Sequence, residues 1–112
     1  MSNKRYEVAE IVLAELWTLS KIVAYKTGTV APKTYFNLKK ALRKSRKTFH
    51  CTAGEEDAID ATEIALFKAI DALMAYETVL MYGNDQERLA YYGNEFAECF
   101  SSANNNLKRV RK

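Results

Sequence analysis

The sequence predicts an all-α protein, an antiparallel up-down-up-down four-helix bundle. Three observations carry that expectation. The 112 residues contain one Pro and four Gly, so long segments run unbroken. Apolar residues recur at spacings of three, four and seven in each of those segments, which places them on one side of a helix. The few breaks separate segments of helical length by short connections, as neighbouring helices in a bundle require. A chain of this length forms one domain with enough buried surface for a core without staples.

The stretch 55–82 organises the rest. It lacks Gly and Pro and is rich in Ala, Leu, Met, Ile and Glu, so helix propensity is favourable almost throughout. Ile59, Leu66, Ile70, Leu73 and Leu80 share one side. Ala58, Ala61, Ala65, Ala69 and Ala72 form a small-residue strip beside it. Large residues next to an alanine strip let helices approach closely, so this is the expected central, most buried helix.

The first helix is expected over 4–26, with a stripe of Val8, Ile11, Val12, Leu16, Leu19 and Val23. Leu13, Trp17 and Ala24 widen it beyond one seam. Either the helix is gripped on two sides within the monomer, the preferred reading, or part of it is an oligomer contact. Gly28 suits a left-handed C-cap. Pro32 suits the first turn of the second helix, expected over 32–49, where its missing N–H costs nothing. Tyr35, Leu38, Leu42 and Phe49 form the stripe of that helix, with Ser45 in register.

Thr52 and Glu55 have the spacing of a capping box at the start of the central helix. Gly83 is placed to end it, and Asn84 with Glu87 repeats the capping pattern. The fourth helix is expected over 85–108. Leu89, Tyr92, Phe96, Cys99, Ala103, Asn106 and Val110 follow a 3-4 spacing there. Asn104, Asn105 and Asn106 are weak helix formers, so the last turns are expected to fray into a basic tail over 108–112. Tyr91 and Tyr92 are adjacent on this helix, so only one of them can enter the core seam.

The arrangement of charge is the most informative functional feature. The net charge is only +3. Yet residues 16–54 hold nine Lys and Arg and no acid, while residues 55–87 hold nine acids and one Lys. Lys33, Lys39, Lys40, Arg43, Lys44, Arg46 and Lys47 lie on the second helix, and Lys108, Arg109, Arg111 and Lys112 at the C-terminal end. Clustered cations release counterions from a phosphate backbone, which gives salt-sensitive, sequence-independent affinity. DNA or RNA is therefore the first expected partner, and an acidic protein surface the second. A third outcome is pairing of Arg43, Arg46 and Lys47 with Glu55, Glu56 and Asp57 across the turn, which accounts for only some of the charges. Segregated acidic and basic faces also favour a homo-oligomer.

The region from Thr18 to Gly28, followed by Lys33 to Asn37, resembles a helix-turn-helix, with an Ala four residues before a Gly. Its turn is about one residue too long, and Pro32 is unusual in it, so an ordinary helix hairpin is preferred. Arg43 and His50 resemble the Arg-x(4–6)-His signature of the HEPN ribonucleases, themselves small helical bundles. The likeness covers two residues, and Lys44 stands where a polar neighbour is usual.

Nothing else in the chain points to catalysis. There is one His, no Glu-x-x-His pair for a di-iron bundle, no paired Cys or His spacing for zinc, and no Gly-rich phosphate loop. A non-enzymatic protein without cofactor or metal is expected. Cys51 and Cys99 are expected to be free thiols. The first ten residues carry no apolar signal region, and no apolar run approaches the ~20 residues that span a bilayer, so the expected location is the cytoplasm, away from membranes.

Overall fold

The computed structural model describes residues 4–83 and 85–110. Four helices make up the architecture: α1 (Lys4–Ala24), α2 (Pro32–Thr48), α3 (Ala53–Tyr82) and α4 (Gln86–Val110). No strand occurs among the described residues. α3 has 30 residues, about 45 Å of helix, and sets the 46 Å long axis of the molecule. α2, with 17 residues, covers little more than half that length.

α3 packs most extensively on α4 and also touches α1 and α2. α1 touches the other three helices, whereas α2 and α4 do not meet. The α1–α3 pair therefore lies between α2 on one side and α4 on the other. Their shared core contains Leu16, Val12 and Val23 from α1, Tyr35 and Leu42 from α2, Leu66 and Ile70 from α3, and Ala103 and Leu107 from α4. The alanine strip of α3 is buried at Ala58, Ala65, Ala69 and Ala72, while Ala61 is half-buried.

Several local expectations are corrected. α1 ends at Ala24, and its left-handed C′ residue is Lys26, with φ 56°, in place of Gly28. The Lys26 N–H donates to Val23 O at 3.2 Å and the Thr27 N–H to Ile22 O at 3.1 Å, the paired bonds of a Schellman ending. Carbonyls at the end of α1 are thus satisfied two residues before the glycine. Ile11, assigned to the apolar stripe, is 64% exposed; Ala9 takes the buried position instead.

Pro32 does occupy the first turn of α2, after Ala31 in an extended conformation. Thr52 is the N-cap of α3, but its hydroxyl donates to the Glu55 carboxylate at 2.8 Å and makes no bond to a helix N–H. The helix begins at Ala53, so Gly54 lies inside its first turn. At the start of α4 the capping side chain is Asp85, whose Oδ1 accepts from the N–H groups of Glu87 at 3.0 Å and Arg88 at 3.3 Å. Asn84, the expected cap, falls outside the described residues. α4 is helical through its asparagines. It continues to Val110, with Leu107 buried and Asn106 Nδ2 donating to Ser102 O at 2.9 Å.

Candidate nucleic-acid interface

α2 is built to present a charged surface. Tyr35, Leu38, Leu42 and Ser45 are buried and fix which side faces the core. Lys33, Lys40, Lys44 and Lys47 follow at spacings of seven, four and three. At 100° per residue they fall within an arc of about 60° on the opposite side, along about 21 Å of helix. All four are exposed and form no ion pair among the described residues.

The remaining basic residues of α2 face α3. Lys39 pairs with Asp71. Arg46 lies 3.6 Å from Asp60 and 3.9 Å from Glu63. Arg43 is exposed and sits over the Phe67 ring, 5.6 Å from its centroid. The acidic partners are thus further along α3 than the Glu55, Glu56 and Asp57 that the sequence suggested. The seven cations therefore divide into an outward stripe of four and a flank of three that is engaged with α3.

Lys108 and Arg109 are exposed in the last turn of α4. Because α2 and α4 do not meet, these two are separated from the α2 stripe by α1 and α3. Arg111 and Lys112 lie outside the described residues.

Two buried polar clusters hold α2 in this orientation, and neither was anticipated from the sequence. At one end Arg5, 5% exposed, meets Glu63, 1% exposed. Arg5 Nε donates to Glu63 Oε2 at 3.3 Å, and its Nη2 donates to Glu63 Oε1 and to Asp60 Oδ1. Its Nη1 donates to Cys51 Sγ at 3.4 Å. Burial acts to lower the Arg5 pKa, but the hydrogen bonds to Glu63 and Asp60 outweigh it and hold the guanidinium above its ordinary value. Arg46 joins this cluster from the end of α2.

The second cluster centres on Glu77. Its Oε2 accepts from the Val30 N–H at 2.8 Å and its Oε1 from the Tyr35 hydroxyl at 3.0 Å. A single carboxylate thereby ties the α1–α2 connection and the start of α2 to α3. Burial, with the Glu77 contact, pushes the Tyr35 phenol above its usual range.

A separate feature lies between α1 and α4. Trp17 is 48% exposed and stacks on Phe100 at a centroid distance of 5.4 Å. It divides two hollows of about 330 Å³ each, one bordered by Phe100 and Leu107, the other by Tyr76 and Phe96. Tyr91 is exposed and Tyr92 half-buried, as their adjacency required.

His50 is exposed beyond the end of α2, and Arg43 is engaged with Phe67. Among the described residues no group of three His, Cys, Asp or Glu is placed to hold a metal ion, and no helix is long and apolar enough to cross a membrane. Compared with family models, curated proteins and solved structures, the chain matches none.

Proposed function

We propose that this is a small, non-enzymatic nucleic-acid-binding protein that engages backbone phosphates through α2, with Lys108 and Arg109 as a second contact. The observation that carries the reading is the outward stripe of Lys33, Lys40, Lys44 and Lys47. Among the described residues these four ammonium groups form no ion pair, and they lie along one edge of the helix. The protein is taken as cytoplasmic, with Cys51 and Cys99 as free thiols. The helices are taken as an antiparallel up-down-up-down bundle. Two contacts support an antiparallel α2 and α3: Arg46 at the end of α2 meets Asp60 near the start of α3, and Tyr35 at the start of α2 meets Glu77 near its end.

The test is fluorescence anisotropy with labelled DNA and RNA at about 50 and 200 mM salt, a range over which phosphate contacts weaken strongly. Four phosphate contacts give a slope of log affinity against log salt of roughly −3 to −4. Charge reversal of Lys40, Lys44 and Lys47 should abolish most of the binding. Unchanged affinity in that variant would sink the proposal.

A second reading is a protein-interaction module whose basic face meets an acidic partner surface. The half-exposed Trp17, stacked on Phe100 between two apolar hollows, favours it, because exposed aromatics in such settings anchor interfaces. In this reading the exposed Trp17 of α1 also provides a contact for self-association into a homo-oligomer. Binding anchored there would persist at high salt, unlike binding to phosphates.

A further inference from the structure

Phe36 lies beside the lysine stripe on α2, three residues after Lys33 and four before Lys40, and is 56% exposed. A lone exposed phenylalanine needs no explanation. Arg43, however, follows it by seven residues, on nearly the same meridian of the helix and about 10.5 Å further along. Arg43 lies over the Phe67 ring, its Cζ 5.6 Å from the ring centroid, and the residue is exposed to solvent. α2 therefore carries two parallel tracks. One is a row of ammonium groups, and the other holds two planar groups, the exposed Phe36 ring and the exposed Arg43 guanidinium beside Phe67.

We infer that the nucleic acid bound by α2 is single-stranded, with its phosphates along Lys33, Lys40, Lys44 and Lys47 and its bases stacked on Phe36 and Arg43. The inference rests on the nucleic-acid reading of α2 given above. A single strand exposes a charged backbone on one edge and the faces of its bases on the other, which matches the two tracks. A duplex buries those base faces in its own stack and can use only the lysines. Stacking on aromatic rings and guanidinium planes tolerates any sequence, since every base has a π-face.

The test compares four ligands of equal length by anisotropy: single-stranded RNA, single-stranded DNA, duplex DNA, and an abasic phosphodiester strand. The proteins are the full chain and the variants Phe36→Ala, Arg43→Lys and Lys40→Glu/Lys44→Glu/Lys47→Glu. Arg43→Lys keeps the charge and removes the plane. Both altered side chains are exposed, and thermal melting verifies that each variant stays folded.

The expected result is preference of the full chain for the base-bearing single strands. Phe36→Ala and Arg43→Lys should each weaken those two ligands by about five-fold or more, while duplex and abasic strand are unaffected. The preferred sugar then separates RNA from DNA. The inference is overturned if either variant weakens duplex and single strands equally, or if neither changes anything while the triple lysine variant still loses binding. If the triple variant also binds all four ligands as the full chain does, the nucleic-acid reading itself falls and takes this one with it.

Discussion

Arg5 in the first turn of α1 and Glu63 in the third turn of α3 form a buried ion pair joined by two hydrogen bonds, from Nε and from Nη2. Fifty-eight residues separate them in the chain. The pair fixes how α1 lies on α3, and Asp60, shared with Arg46, extends it to the end of α2.

Removing one partner leaves the other charged and buried. Arg5→Met should lower stability by about 3–5 kcal/mol, because among the described residues Glu63 would keep only the half-exposed Arg46, at 3.9 Å, as counter-ion. The double variant Arg5→Met/Glu63→Leu removes both charges and should regain much of that loss. Urea unfolding of the two variants against the parent measures both terms. A single variant costing under about 1 kcal/mol would mean that water reaches the pair.

Tyr35 gives a pH dependence with a definite sign. Burial, helped by the bond to Glu77, raises its pKa in the folded protein, so the fold favours the protonated phenol. Its contribution is complete below the unfolded value near pH 10 and is lost as pH rises through the higher folded value. Between those limits the parent should lose about 1.4 kcal/mol of stability per pH unit from this group alone. Tyr35→Phe should remove that component, at a cost of about 1–3 kcal/mol at neutral pH for leaving Glu77 Oε1 without its donor. Unfolding midpoints of parent and variant between pH 8 and 11 should converge as pH rises; parallel curves would contradict the assignment.

Salt dependence should separate the two sets of lysines on α2. Lys40→Gln removes one cation of the outward stripe and should reduce the magnitude of the salt slope for nucleic acid by about 0.7–0.9. Lys39→Gln removes a cation already held by Asp71 and should leave the slope unchanged. Its stability cost should stay under about 1 kcal/mol, since Asp71 is more than half exposed. Equal effects from both variants would mean that the Lys39–Asp71 pair opens on binding.

The helices and most of the core were legible because spacing and punctuation agree: Pro32 starts α2, Tyr35, Leu38 and Leu42 share its buried side, and Thr52 precedes α3. The charged core was not legible, because a buried Arg or Glu has the same letter as an exposed one. A positional signal nevertheless existed. Arg5, Ala9, Val12, Leu16, Leu19 and Val23 follow a 4-3-4-3-4 spacing, and so do Ile59, Glu63, Leu66, Ile70, Leu73 and Glu77. A charge in register with an apolar stripe must either bend out or find a partner inside. Here Arg5, Glu63 and Glu77 all do the latter. The division of the α2 cations was hidden for a related reason: their angular positions follow from the sequence, but the flank that α3 covers depends on tertiary packing.

The ending of α1 provides a backbone test. Lys26 has φ 56°, a conformation that costs a side-chain-bearing residue about 1–2 kcal/mol relative to glycine. Gly28 has no positive φ, and a Cβ placed on it would lie 3.5 Å from Ile22 Cγ2, ordinary van der Waals contact. Lys26→Gly should therefore stabilise the protein by about 1 kcal/mol, net of the extra freedom it gives the unfolded chain. Gly28→Ala should be neutral or slightly stabilising, because it restricts the unfolded chain without strain in the fold. Were Gly28 the left-handed cap, as its sequence position suggests, the same alanine would cost about 1 kcal/mol or more. Thermal melting of the two variants distinguishes these outcomes, since the predicted shifts have opposite signs under the two placements of the cap.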